Sequence, residues 1–206
     1  MTQLARVKRV YTDEARRLAG RSMAQLEQTS VTPDALTVSG LALCIAGAVL
    51  VYFEYLGWGL FLVGSAVFVI GSILDILDGA LARRRGFSSP FGAFLDSTVD
   101  RVGEGFMLGS IGLVLMRDGS EWGVALAFAA IAGSFLVSYT RARAEALGLK
   151  GDVGIGSRAE RVVVISVGLA FAPLGALPWV MAVLTATAWI TVGQRVLAVR
   201  RQLLQR

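Results

Sequence analysis

Four aspartates within 26 residues are the groups of this chain best placed to do chemistry. The stretch from Asp75 to Asp100 reads DILDGALARRRGFSSPFGAFLDSTVD. Asp75 and Asp78 are three residues apart, and Asp96 and Asp100 are four apart. At those spacings each pair lies on one face of its own helix. Four carboxylates brought together repel one another unless cations or protons neutralise them. Oxygen-only ligation suits Mg²⁺, Mn²⁺ or Ca²⁺ rather than zinc. Two hard divalent ions could share the four acids and clamp a diphosphate, steadying both attacking and leaving oxygens. Gly79 and Ala82, just beyond the first pair, leave room for a flat or phosphorylated group to approach the backbone. Arg83 could meet a phosphate. The residues alone leave two other readings open: a structural ion-pair network with nearby arginines, and an intramembrane ion or proton pathway.

Composition narrows the chemistry. The chain has 206 residues, one Cys and no His. Disulfide frameworks and Cys/His zinc sites are thereby excluded. A base working near neutral pH must be a carboxylate, Lys, Tyr, Cys or the terminal amine. Cys44 lies in an apolar run and reads as a small buried hydrophobe. Hydrophobic residues make up 55% of the chain and charged ones 17%, with mean hydropathy +0.64. A soluble domain would carry about a quarter charged residues, so the sequence predicts a polytopic membrane protein. The net charge of +5 reads as membrane topology, with no nucleic-acid partner implied.

The elements that must position the acids follow from length and periodicity. The expected fold is all-α and integral to the membrane: six transmembrane helices, preceded by an amphipathic interfacial helix. Residues 1–30 are too charged for a cleavable apolar signal. They carry Arg6, Lys8, Arg9, Arg16, Arg17 and Arg21, with Leu4, Val7, Tyr11, Leu18 and Met23 loosely on one helical face. This is expected to be a cytoplasmic juxtamembrane segment, with 31–206 forming the six-helix domain. The spans are expected at about 34–55, 58–83, 90–116, 121–141, 158–173 and 177–195. With six spans, eighteen of the 20 Lys and Arg residues fall on one side. The positive-inside rule then puts both termini in the cytoplasm. Helix two would reach Asp75 and Asp78 shortly before its cytoplasmic end, and helix three would reach Asp96 and Asp100 shortly after its start. At about 1.5 Å per residue both pairs sit roughly 10 Å inside the cytoplasmic boundary.

The stretch also resembles a family. Asp75, Asp78, Gly79, Ala82, Arg83, Gly92, Asp96 and Asp100 match the CDP-alcohol phosphotransferase pattern D-x2-D-G-x2-A-R-x8-G-x3-D-x3-D at every fixed position. Pro33, Asp34 and Thr37 extend the likeness to the start of the first span. The resemblance implies a cytoplasm-facing cavity, usually in a homodimer. It implies transfer of a substituted phosphate from a CDP-linked lipid to an alcohol, releasing CMP. It implies two divalent cations, Mg²⁺ or Mn²⁺, on Asp75, Asp78 and Asp96, with Asp100 as the base and a further metal contact. Thr37, Asp75, Asp78, Gly79, Ala82 and Arg83 would bind the CDP-lipid.

The acceptor should be read from the basic segments of the last three spans. The pattern Ser138-Tyr139-x-Arg141-Ala142-Arg143-Ala144-Glu145, then Glu160-Arg161 and Gln194-Arg195, looks like the bacterial phosphatidylinositol-phosphate synthase branch. It departs from that branch in having Arg141 for Lys and Ala159 for Pro. The resemblance implies that Ser138, Arg141, Arg161 and Arg195 bind the phosphate of L-myo-inositol 1-phosphate, with CDP-diacylglycerol or a related CDP-lipid as donor. Glycerol 3-phosphate or another alcohol is the enzymatic alternative, and a membrane cation transporter is the alternative of another class. Arg143, Arg158, Arg200 and Arg201 read as topology determinants or helix-end caps. Glu104, one turn beyond Asp100, reads either as a site residue or as a buried partner for Arg101.

Overall fold

Three helices begin where the sequence writes a side-chain cap. Thr32 Oγ1 accepts from the Ala35 amide at 3.2 Å and Pro33 follows it, opening α1 (Pro33–Tyr52). Ser89 Oγ accepts from the Gly92 amide at 2.9 Å ahead of Pro90, opening α3 (Pro90–Arg117). Ser157 and Glu160 form a reciprocal capping box at the start of α5 (Arg158–Ala170). Between them run α2 (Gly59–Arg85), α4 (Glu121–Ala146) and finally α6 (Leu177–Leu204). Gly86, at φ 67°, stops α2 in the left-handed conformation that a side chain resists. This computed structural model describes residues 31–86 and 89–205, all-helical with no strand in that range. The expected amphipathic helix at 1–30 lies outside the described residues.

Helix α1 packs on α2 and α3, α4 packs on α6, and α5 bridges α2 and α6. Phe68, Met107, Ile111, Ile165, Leu169 and Met181 form the centre of the shared core. Cys44 is buried among them, as expected of a small hydrophobe. Two glycine pairs bring α1 and α2 together. A Cβ on Gly71 would stand 2.7 Å from Gly40 O, and one on Gly47 would stand 2.7 Å from Gly64 O. Small residues of this kind let membrane helices approach backbone to backbone. Gly71 lies one turn before Asp75, so this approach sets where the first acid pair stands. Gly71→Ala is expected to cost about 1–3 kcal/mol through overpacking and to reduce turnover. Thermal melts in detergent check this, with Gly109→Ala as control, because a Cβ there meets nothing within 4 Å.

The expected six spans divide into two groups. Helices α1, α2, α4 and α6 are long and apolar enough to cross a membrane. Helix α3 has the length, but it carries Asp96, Asp100, Arg101, Glu104 and Arg117. Its apolarity is given up to the site. Helix α5 has only 13 residues, about 20 Å at 1.5 Å per residue, and a 3₁₀ turn at Ala172–Leu174 follows it. At the opposite end from the acids, Arg117 pairs with Glu54 at 3.2 Å. Its guanidinium also lies 4.7 and 4.8 Å from the ring centroids of Tyr52 and Tyr55. These contacts tie the end of α3 to the α1–α2 turn.

Candidate active site

Helix α2 carries Asp75 and Asp78 into the protein as buried residues, 6% and 2% exposed. Helix α3 runs back alongside and brings Asp96 to them. One carboxylate oxygen from each of Asp75, Asp78 and Asp96 lies within 4.8 Å of the other two. Thr37 on α1 donates its hydroxyl to Asp78 Oδ2, so the first three helices all meet here. Among the described residues, Oδ1 of Asp75 and Oδ1 of Asp78 are buried without a hydrogen-bond partner. Buried carboxylate oxygens left unmatched are costly, and a hard divalent cation is the partner they fit. The donor set, oxygen-only and acidic, is suited to such an ion.

Asp100 stands beside this trio rather than within it. Arg158, at the first turn of α5, joins them: it donates to Asp75 Oδ2 and lies 2.6 Å from Asp100 Oδ1. That corrects the reading of Arg158 as a topology or capping residue. The Ser157 cap starts α5 level with the acids, so the first arginine of the helix points into their negative field. The sequence carries the signal for this contact: a capped helix start with Arg at the depth of four acids.

Two clefts flank the acids. One, of about 280 Å³, is lined by Thr32, Pro33, Asp34, Thr37, Asp78, Gly79, Ala82, Arg83, Ser89, Gly92, Ala93 and Asp96. It contains every residue expected to bind the CDP-lipid except Asp75. The N-termini of α1 and α3 open onto it, presenting the positive ends of two helix dipoles. A Cβ on Gly79 would meet only Arg83 Nη1, at 3.4 Å, so the missing side chain leaves its room to the cleft. The second cleft, about 890 Å³, is lined by residues that include Asp96, Asp100, Arg101, Ser138 and Arg141. Asp96 stands on the wall of both.

The expected acceptor residues divide. Ser138 and Arg141 line the second cleft, where Arg141 pairs with Glu145 at 2.9 Å. Arg161 and Arg195 do not line it, contrary to the simple convergence of three arginines expected from the sequence. Arg161 is buried against Glu104, with Nε to Oε1 at 2.5 Å and Nη2 to Oε2 at 2.8 Å. Glu104 is therefore the partner of Arg161, not of Arg101. Arg195 donates to Val137 O, next to Ser138, and to Val153 O at 2.8 Å. Arg143 lines neither cleft. Even so, Arg195 and Arg161 hold two carbonyls of one short segment, those of Val153 and Gly156.

Known proteins are similar to this chain in sequence and in fold. A phosphatidylinositol phosphate synthase of Mycolicibacterium smegmatis is 38% identical over 182 residues, spanning 84% of this chain and 79% of that protein. An archaetidylinositol phosphate synthase of Methanothermobacter thermautotrophicus is 36% identical over 182 residues, spanning 86% and 87%. The crystal structure of Mycobacterium tuberculosis phosphatidylinositol phosphate synthase with CDP-DAG bound is similar at TM-score 0.79 and 31% identity, over 89% of this chain and 94% of that one. The same enzyme in complex with manganese and citrate gives 0.77, also at 31% identity, over 88% of each. Residues 30–192 match the family model of CDP-alcohol phosphatidyltransferase, and with the acid pattern, the four apolar spans and these relatives in agreement, the chain belongs to that family of membrane transferases.

Proposed function

We propose that the protein transfers the phosphatidyl group of CDP-diacylglycerol, or of a related CDP-lipid, to L-myo-inositol 1-phosphate. The products are phosphatidylinositol phosphate and CMP. The observation that carries this reading is Asp96, on the wall of both clefts and within the acid trio. Donor and acceptor entering from the two sides meet at that point. That relatives are named phosphatidylinositol phosphate synthase and archaetidylinositol phosphate synthase supports the choice of acceptor.

Asp75, Asp78 and Asp96 hold divalent cations, two in number with a contact from Asp100, and Mg²⁺ is the resident ion with Mn²⁺ as substitute. Bound there, they supply charge neutralisation to a diphosphate. Thr37 steadies Asp78. Gly79, Ala82 and Arg83 take the cytidine diphosphate portion, where a backbone without side chains admits a flat group and a guanidinium meets a phosphate. Asp100 faces the acceptor cleft and accepts the proton of the attacking inositol hydroxyl. The new P–O bond forms at the lipid-side phosphorus as the P–O bond to CMP breaks, a transfer governed by positioning and electrostatics. Ser138 and Arg141 on the cleft wall, with Arg161 and Arg195 close by, receive the acceptor's phosphate through charge-assisted hydrogen bonds.

The protein acts as a homodimer in the cytoplasmic membrane, with both termini and the acids on the cytoplasmic side. All six helices of the domain at 31–206 take part in spanning, with α3 and α5 shielded by their neighbours. The placement of eighteen of 20 basic residues supports this orientation. CMP release from CDP-diacylglycerol and from a CDP-linked diether, tested with inositol 1-phosphate, glycerol 3-phosphate, serine and inositol, tests the reaction. No release with any acceptor sinks the proposal. Release with glycerol 3-phosphate alone replaces the acceptor. Arg161→Gln is expected to raise the acceptor KM about tenfold or more with less effect on the CDP-lipid KM. An unchanged acceptor KM removes Arg161 from the site.

A further inference from the structure

We infer that Glu104 is a positioning residue for acceptor binding, aiming Arg161 and, through it, the loop at 153–156. The inference rests on the proposed role of Arg161 in receiving the acceptor's phosphate. Glu104 is 5% exposed and Arg161 6%. Their bidentate pairing fixes the plane of the guanidinium. The Arg161 Nη1 donates to Gly156 O at 2.9 Å. These three bonds use three of the five guanidinium N–H donors, and the other two make no further hydrogen bond among the described residues.

The loop is held at two further carbonyls. Thr191 donates to Ile155 O, and Arg195 Nε donates to Val153 O at 2.8 Å. The loop therefore ties Arg161 to Arg195. Its backbone needs glycine to lie this close to α6. Gly154 has φ 132°, and a Cβ there would stand 2.3 Å from Thr191 Cγ2. The remaining link is Glu104 itself. It lies one turn beyond Asp100 on the same face of α3. The proposed base and the group that aims Arg161 thus ride on one rigid element, which sets the distance between the attacking hydroxyl and the acceptor's phosphate. For stability alone, an apolar pair often serves as well as a buried ion pair. Orientation of a guanidinium requires the carboxylate.

Glu104→Asp tests this without removing the charge, because it withdraws the carboxylate by one methylene. The expected result is an acceptor KM raised about tenfold, a larger change than in kcat or in the CDP-lipid KM. In an Arg161→Gln background, Glu104→Gln is expected to add no further rise, since no guanidinium remains to be aimed. That double variant also avoids burying an unpaired charge. Three outcomes overturn the inference: donor and acceptor KM rising together, a lowered melting temperature with both KM values unchanged, or an additive rise in the double variant. The assay uses the phosphorylated acceptor that the wild type turns over. Turnover with glycerol 3-phosphate in place of inositol 1-phosphate overturns only the acceptor's identity, while turnover with unphosphorylated alcohols alone overturns both proposals.

Discussion

Asp100→Asn is expected to lower kcat by about 10³-fold, the scale of a lost general base, while CDP-lipid binding largely survives. With no His anywhere in the chain, the base has few candidates, and of the four aspartates Asp100 alone lines the acceptor cleft but not the donor cleft. Asn keeps the volume and a carbonyl oxygen, so the packing of α3 has no reason to change. It loses the ability to take a proton, the charge presented to Arg158, which retains Asp75, and the carboxylate's contact with the cations held by the trio. CMP release under saturating donor and acceptor, together with equilibrium binding of CDP-diacylglycerol in detergent, separates the two effects. Undiminished turnover removes Asp100 as the base. Abolished donor binding reassigns it to holding the diphosphate. Asp96→Asn should differ from Asp100→Asn, because Asp96 stands on both clefts and belongs to the trio. Both donor binding and turnover are expected to fall in that variant.

The contrast between these two aspartates also shows what the sequence carries. Spacing within one helix is a local property, so the pairing of Asp75 with Asp78 and of Asp96 with Asp100 on their faces could be read directly. So could the caps at Thr32, Ser89 and Ser157, which depend on a few adjacent residues. The common depth of the two pairs followed from chain direction and charge asymmetry. What could not be read was which long cation meets which acid. Arg101, Arg158 and Arg161 were all near Glu104 or Asp100 by depth, and the choice among them depends on the rotation of α5 against α3. That rotation is set by the core around Ile165 and Leu169, not by any pattern in the charged residues themselves. It puts Arg158 on Asp75 and Asp100, and Arg161 on Glu104. The span count has a related origin. Hydropathy measures contact with lipid, whereas α3 is required to hold the acids and α5 is about two-thirds of the usual spanning length.

Chelation of divalent cations should abolish turnover and also lower the melting temperature. The second effect follows from the acids themselves. Asp75, Asp78 and Asp96 offer oxygens within 4.8 Å of one another, and Oδ1 of the first two has no hydrogen-bond partner among the described residues. Mutual repulsion and desolvation both oppose three charged carboxylates in such a place. A cation that binds this folded cluster and not the unfolded chain stabilises the fold by mass action, about 2.7 kcal/mol at a hundredfold excess over its Kd. Adding Mg²⁺ or Mn²⁺ back after EDTA should therefore restore both melting temperature and CMP release. Asp78→Asn should weaken both responses, since it removes the charge of a buried ligand and leaves one carbonyl oxygen to serve both the cation and the Thr37 hydroxyl. Asp100→Asn should retain most of the thermal response while losing turnover, because the trio remains whole. If melting temperature is indifferent to the metal while turnover depends on it, the ion enters with the diphosphate donor instead of residing on the acids. The corresponding titration with CDP-diacylglycerol present would then show metal and donor binding together, each tightening the other's affinity by the same factor.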